Sequence, residues 1–131
     1  MKRVFYPIIA CLLSLSCQGQ QVGFRSVSVD EFAQAMSDSA VVLLDVRTAD
    51  EHKAGYIEGT ALQIDVLKSD FDSLATVNIR KGSTIALYCR SGNRSKRAAS
   101  ALVAKGFRVI ELSTGYNGWV QAGKPVVIDE E

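Results

Sequence analysis

Continuous runs of β-branched and aliphatic residues predict the buried strands of a sheet. The strongest run is VVLLDV (residues 41–46), and TIALY (84–88) and RVIEL (108–112) repeat the pattern further along the chain. Runs of this kind are typical of parallel strands that are covered on both faces. Two shorter strands are predicted at SVSV (26–29) and near residues 61–64.

Helices are predicted between these strands from capping residues, glycine stops and the spacing of apolar positions. Asp30 is the expected N-cap of the first helix, either Thr48 or Asp50 that of the second, and the third contains Leu67, Phe71 and Leu74. The predicted spans are 30–36, 48–55, 67–74, 95–105 and 116–122. Alternating strands and helices predict an α/β fold, a three-layer α/β/α sandwich with a mostly parallel central sheet of about five strands.

Composition and charge narrow the class of protein. The 131 residues are 47% hydrophobic and 22% charged, which fits one globular domain, predicted here at residues 26–128. The formal net charge is only +1, and the one contiguous basic cluster follows Cys89. Nucleic acid is therefore not expected as a partner.

The N-terminal segment has the pattern of an export signal. Lys2 and Arg3 precede an uncharged apolar run that is too short to span a bilayer, and the polar QGQQ follows. The region ending at Cys17 resembles the lipobox of bacterial lipoproteins, which implies a signal peptide at residues 1–16, lipidation of Cys17, and a polar tether at 17–25. The protein is then expected to face the periplasm, attached to the membrane only by its lipid. An ordinary signal peptide cut nearby, cleavage at Cys11, and a retained membrane anchor are the alternatives.

Cys89 is the cysteine that stands inside the predicted domain, in the stretch YCRSGNRS. It ends a buried strand and precedes a helix, at the edge of the sheet where α/β proteins bind ligands. Ser91 and Gly92 are small enough to let the loop curl, so that backbone N–H groups and the helix N-terminus can hold an anion. The same groups, with the neighbouring arginines, lower the pKa of a thiol. The sequence therefore predicts a reactive cysteine in an anion-binding loop.

Two longer stretches resemble a single-domain rhodanese, a family of sulfurtransferases. They are LLDVRTADEHKAGYIEGTALQI and IALYCRSGNRSKRAASALVAKGFRVIELSTGYNGWVQAGKP, which contain Asp-x-Arg after a strand and Cys-x4-Arg-Ser in the loop. The family commonly has Gly-His-Ile where this chain has Tyr56, and Gly-Gly where it has Thr114. These two differences concern the rim of the pocket, and with it the choice of substrate.

The resemblance implies that Cys89 takes a sulfur atom from a small anionic donor such as thiosulfate and passes it, as a persulfide, to cyanide or to a thiol, possibly on a protein. It implies no metal and no organic cofactor. Asp45 and Arg47 would support the site as an ion pair or loop brace, and Arg94, with Arg90, would bind the donor. The residues implied in substrate binding are Arg90, Ser91, Gly92, Asn93, Arg94 and Ser95.

Several alternatives stay open at this point. Ser91 and Ser95 can be helix caps rather than substrate ligands, with capping favoured for Ser95. His52, the only histidine, invites a Cys-His dyad, but its charged neighbours favour a solvated position. A non-catalytic binding module is the second functional reading. A phosphatase or arsenate reductase of related fold is the third, although those relatives have one more residue between Cys and Arg.

Overall fold

The computed structural model describes residues 23–129. The strands are β1 Arg25–Val27, β2 Val42–Asp45, β3 Tyr56–Ile57, β4 Leu62–Gln63, β5 Thr84–Tyr88, β6 Arg108–Leu112 and β7 Val126–Val127. The helices are α1 Val29–Met36, α2 Ala49–Ala54, α3 Phe71–Asn78, α4 Asn93–Ala104 and α5 Gly115–Gln121.

The central sheet has five strands in the order β1-β6-β5-β2-β4, and each neighbouring pair is parallel. The predicted α/β fold with a mostly parallel sheet of about five strands is confirmed. β5 lies in the middle of this sheet, with Leu87 paired to Leu44 of β2 on one side and to Glu111 of β6 on the other. The carboxyl end of β5 therefore opens at the centre of the sheet edge, where a loop can be held from both sides.

Each face of the sheet is covered by its own apolar layer. The layer that includes α3 and α4 packs on Leu44, Ile85 and Leu87. On the opposite face Phe32 of α1 and Trp119 of α5 meet in an edge-to-face contact with ring centroids 6.2 Å apart. Cys89, directly after β5, is buried in the layer that includes α3 and α4.

Several local predictions need correction. Ser28, not Asp30, caps α1, because its hydroxyl accepts the N–H of Glu31 while the Glu31 carboxylate accepts the N–H of Ser28. Thr48 caps α2 in the same way. The third helix begins only at Phe71, and Leu67 precedes it with 56% of its surface exposed.

A small antiparallel sheet was not predicted. β3 and β7 pair Tyr56 with Val127 and Ile57 with Val126. Each strand has two residues, which is too short for an alternating pattern to show in the sequence. The pairing fixes Val126 and Val127 next to the segment that follows α2.

The predictions for the N-terminus lie mostly outside the described residues. The signal peptide (1–16), Cys17 and most of the tether (17–25) precede residue 23. Within residues 23–129, none of the helices has the length and apolar character needed to cross a membrane.

Candidate functional site

Cys89 lies directly after β5 and is almost completely buried, with 1% of its surface exposed. It is a free thiol. The loop from residue 90 to 92 then turns back over the strand end, and α4 begins at Asn93. The site therefore consists of a buried sulfur atom beneath the N-terminus of a helix of 12 residues.

The Cys89 sulfur makes hydrogen bonds with the loop and with α4. The N–H of Gly92 donates to Cys89 Sγ at 3.1 Å, and Ser95 Oγ lies 3.4 Å from the same atom. Burial raises the pKa of the Cys89 thiol, but hydrogen bonds from the Ser95 hydroxyl and from the N–H groups of Ser95, Gly92 and Ser91 lower it, and the net pKa is lowered. The arrangement favours a thiolate in a buried position.

Gly92 is required by the shape of the loop. Its φ of 102° lies in the left-handed region, and a Cβ atom there would stand 2.2 Å from the carbonyl oxygen of Ser113. The helix α5 closes the loop from the other side, because the N–H of Tyr116 donates to the carbonyl of Cys89 at 2.8 Å and that of Asn117 donates to Arg90 at 3.0 Å. The peptide groups of the loop are thus held in a fixed direction.

Arg94 is paired with a carboxylate that the sequence analysis did not single out. Its two terminal nitrogens donate to the two carboxylate oxygens of Glu51 at 2.7 and 2.9 Å. The hydrogen bonds from Arg94 lower the pKa of Glu51 to about 2. Glu51 also caps α2 through the N–H of Thr48, so this one side chain ties α2 to the start of α4.

Asp45 and Arg47 form the expected buried ion pair. Arg47 Nη2 lies 2.7 Å from Asp45 Oδ2 and donates to the carbonyl of Gly55 at 2.7 Å. The guanidinium also lies over the ring of Tyr116, 4.3 Å from its centroid. The pair joins β2 to the segment after α2 and to α5, which places it as a brace beneath the pocket.

His52 is half-buried, with 26% of its side chain exposed, rather than on the fully solvated face that was predicted. Its Nδ1 lies 2.9 Å from Asp45 Oδ2, and its ring stacks on Tyr56 with centroids 4.2 Å apart. The imidazole therefore belongs to the Asp45 brace, and the Cys-His dyad considered from the sequence is not formed. Tyr56 follows His52 by four residues but lies beyond the end of α2, so the spacing of residues within a helix does not predict this contact.

An open cleft of about 250 Å³ adjoins the loop. Its walls carry Arg47, Glu51, Ala54, Gly55, Arg90, Tyr116 and Asn117. Arg90 is exposed and has no ion pair among residues 23–129, so it contributes positive charge to this cleft, whereas the charge of Glu51 is matched by Arg94. The cleft places the side chains of Arg47 and Arg90 next to the loop that follows Cys89.

The remaining predicted site residues, Ser95, Ser91 and Asn93, occupy different positions relative to the Cys89 sulfur. Ser95 lies inside α4 rather than at its start, so the capping interpretation is wrong; the N-cap of α4 is Gly92, which has no capping side chain. Ser91 is exposed, and its N–H group contributes to the lowered pKa of Cys89. Asn93 is exposed at the first position of α4.

Glu111 is a buried carboxylate that the sequence analysis missed. None of its surface is exposed, and it accepts a hydrogen bond from Ser95 Oγ at 2.5 Å. Ser26 Oγ donates to its other oxygen, and Lys96 Nζ lies 3.4 Å from the first. The apolar sequence RVIEL does not indicate that Glu111 is paired, because the partners of Glu111 lie 85, 16 and 15 residues away in the chain.

No three His, Cys, Asp or Glu side chains converge as a possible metal site within residues 23–129.

Comparison with known proteins identifies the family. The model of the rhodanese-like domain family matches residues 28–122. A protein named sulfurtransferase from Allochromatium vinosum is 32% identical over 108 residues, which cover 81% of this chain and 97% of the relative. Thiosulfate sulfurtransferase 18 of Arabidopsis thaliana is 30% identical, with 91% of this chain and 93% of the relative covered. The crystal structure of a rhodanese-related protein from Thermoplasma volcanium has a TM-score of 0.70 and 25% identity, and the match covers 81% of this chain and all of that one.

Proposed function

Because the chain belongs to the rhodanese-like domain family, we propose that it moves a sulfane sulfur atom from a small anionic donor, such as thiosulfate, through a Cys89 persulfide to cyanide or a thiol. The observation that carries this proposal is the buried Cys89 sulfur, which accepts hydrogen bonds from the loop and has a lowered pKa. A thiolate is the nucleophile that such a reaction needs.

In the first half-reaction the Cys89 thiolate attacks the outer sulfur of thiosulfate. A new S–S bond forms at Cys89, the S–S bond of thiosulfate breaks, and sulfite leaves with the bonding electron pair. Arg90, which is exposed in the adjoining cleft, provides positive charge for the incoming dianion. The persulfide then carries its negative charge on the terminal sulfur.

The loop supplies the means of stabilising that terminal sulfur. The N–H of Gly92 donates to the Cys89 sulfur, and the N–H groups of Ser91 and Ser95 contribute to its lowered pKa. Fixed donors of this kind stabilise developing charge without having to reorient. In the second half-reaction the acceptor attacks the terminal sulfur, and Cys89 leaves as a thiolate.

The alternatives are less well supported. A phosphatase or arsenate reductase has to hold a tetrahedral oxyanion in the loop, but four residues separate Cys89 from Arg94, and Arg94 is already paired with Glu51. A binding module without activity has no need of a thiol with a lowered pKa beneath a helix N-terminus. The sulfurtransferase is therefore the function that the geometry supports best.

Intact mass spectrometry before and after addition of thiosulfate tests the proposal. The wild-type protein is expected to gain about 32 Da, the mass of one sulfur atom, and to lose it on addition of cyanide. Cys89→Ser is expected to keep its circular dichroism spectrum and gain nothing. Peptide mapping assigns the gain to Cys89 rather than to Cys11 or Cys17. A wild-type protein that is folded and reduced but gains no sulfur from thiosulfate or polysulfide would refute the proposal.

We also propose, from the sequence alone, that the protein is exported and lipidated at Cys17. The location would keep the enzyme away from cytosolic thiols, so its acceptor would be a periplasmic thiol or cyanide. Labelling cells with a radioactive fatty acid tests this, with Cys17→Ala as the variant and Cys11→Ala as the matched control. Label that survives in Cys17→Ala would contradict the assignment.

A further inference from the structure

Glu111 is a buried ionisable side chain for which the proposed sulfur transfer has no use. It lies in β6, next to the strand that ends at Cys89, and its carboxylate is connected to the sulfur by one side chain. Cys89 Sγ lies 3.4 Å from Ser95 Oγ, and Ser95 Oγ lies 2.5 Å from Glu111 Oε2. The three groups form a continuous path for a proton.

From this path we infer that Glu111 holds the proton of the Cys89 thiol while the sulfur is ionised or loaded, taking it and returning it through the hydroxyl of Ser95. Glu111 is thus a positioning residue that acts on the sulfur through Ser95. The inference rests on the proposed function for its place in a reaction cycle, but its geometry does not depend on the identity of the donor or acceptor.

Charge is the first argument for this role. Cys89 and Glu111 are 1% and 0% exposed, and two negative charges buried so close together are strongly unfavourable. Lys96 is the cation that contacts Glu111, at 3.4 Å, and half of its side chain is exposed. Arg94 is paired with Glu51. If the proton passes from the Cys89 sulfur to the Glu111 carboxylate, these two groups together have one negative charge both before and after the transfer. Lys96 can balance that single charge.

The direction of the hydrogen bonds is the second argument. With Glu111 ionised, the Ser95 hydroxyl donates to the carboxylate and accepts from the Cys89 thiol. Transfer breaks the S–H bond and forms an O–H bond on Ser95, while the original Ser95 proton moves to Glu111. Afterwards the Ser95 hydroxyl donates to the thiolate, and the neutral carboxyl group donates to Ser95.

The same path serves the end of the cycle. When an acceptor removes the terminal sulfur, Cys89 leaves as a thiolate, and the proton stored on Glu111 returns through Ser95. No other co-reactant is needed, since the transfer is a proton exchange between groups of this chain. His52, the other side chain suited to this task, is occupied at Asp45.

The pH dependence of Cys89 alkylation tests the inference without any sulfur donor. Iodoacetamide modification is followed on the Cys89 peptide of the full chain, from about pH 4.5 to 9.5. Two groups that share a proton lose their protons in two steps. The alkylation rate of the wild type is therefore expected to rise twice with increasing pH. Between the two rises it should reach a plateau at least about tenfold above the rate extrapolated from the upper rise. Glu111→Gln is expected to show a single rise.

Other charged groups near the site must be separated from this signature. They are Arg94 and Lys96 of α4, Arg90 of the loop, Glu51 and His52 of α2, and the Asp45–Arg47 pair at the end of β2. Arginine and lysine stay charged over most of this pH range, and Glu51, with a pKa of about 2, stays ionised. His52→Gln is the matched control and is expected to keep both rises.

Each outcome decides the matter. A single rise in the wild type, two rises in Glu111→Gln, or loss of the plateau in His52→Gln would overturn the inference. If circular dichroism shows that Glu111→Gln does not fold, Ser95→Ala takes its place, and its plateau is expected to fall about tenfold or more; an unchanged plateau would overturn the inference. Failure of the proposed function looks different, because the two rises would persist in a protein that gains no sulfur from thiosulfate.

Discussion

The ion pair between Glu51 and Arg94 makes the stability of the domain depend on acid. The pKa of Glu51 is lowered from the usual 4.5 to about 2, chiefly by hydrogen bonds from Arg94. A difference of this size corresponds to about 3 kcal/mol at neutral pH if it is taken at full value. Because both side chains are about one quarter exposed, solvent screening reduces this, and we expect about 1–2 kcal/mol.

The sign of the pH dependence follows from the direction of the shift. The folded protein holds Glu51 ionised more strongly than the unfolded chain does, so the stabilisation is complete above about pH 4.5 and is lost as the pH falls toward 2. Less than half of it remains at about pH 3. The difference in free energy of unfolding between the wild type and Glu51→Gln should therefore be largest at neutral pH and close to zero near pH 2.

Urea unfolding of Glu51→Gln, Arg94→Gln and the double variant measures the coupling energy directly. The cycle is needed because Glu51 also caps α2 through Thr48, a contact that Arg94→Gln leaves in place. Glu58→Gln is the control, since Glu58 is exposed and has no ion pair within residues 23–129. A coupling energy below about 0.3 kcal/mol at pH 7, or one that does not decrease in acid, would refute this reasoning.

Two further substitutions test the loop and the brace. Gly92→Ala is expected to destabilise the domain by more than about 2 kcal/mol and to slow Cys89 alkylation, because its Cβ would meet the Ser113 carbonyl at 2.2 Å. Gly82→Ala, also at positive φ but with nothing within 4 Å, should cost only about 1 kcal/mol and leave alkylation unchanged; equal thermal melting of the two variants would contradict the role of the close approach. Asp45→Asn leaves the Arg47 guanidinium buried and unpaired, so urea unfolding should show a loss of about 3–5 kcal/mol, and a loss below about 1 kcal/mol would argue against the brace.

The parts of the fold that sequence reasoning reached are those set by local patterns. VVLLDV and TIALY are strands buried on both faces, and the alternation of such runs with helices leaves few arrangements of the chain. The position of Cys89 at the end of β5 follows from the same pattern, because the apolar run stops there and the polar stretch RSGNRS begins. Two-residue strands such as β3 and β7 carry no period that could be recognised.

The contacts that were missed depend on the packing of distant segments. Glu111 occupies a strand position that an isolated strand could expose, and only the arrival of Ser26 from β1 and Ser95 from α4 makes it a buried acceptor. Arg94 was expected to bind the donor, yet the carboxylate that meets it comes from a helix 43 residues earlier. His52 turns toward Asp45 because the two are brought together by the bend after β2. Charge and residue type identify such groups as candidates, but the three-dimensional arrangement chooses their partners.

The start of α4 differs from the starts of α1 and α2, which both have a capping box, because Gly92 offers no side chain to the first turn. The Cys89 sulfur accepts the N–H of Gly92, the N-cap residue, and so takes the place of the glutamate carboxylate that accepts this N–H in the capping boxes of α1 and α2. The chemical state of the Cys89 sulfur should therefore change the thermal stability of the domain. A thiolate or persulfide completes the helix end, whereas an alkylated sulfur does so poorly, and a cap is worth about 1 kcal/mol. In a domain of this size the melting temperature should move by several degrees, so a thermal scan would report how much of the protein has an alkylated Cys89.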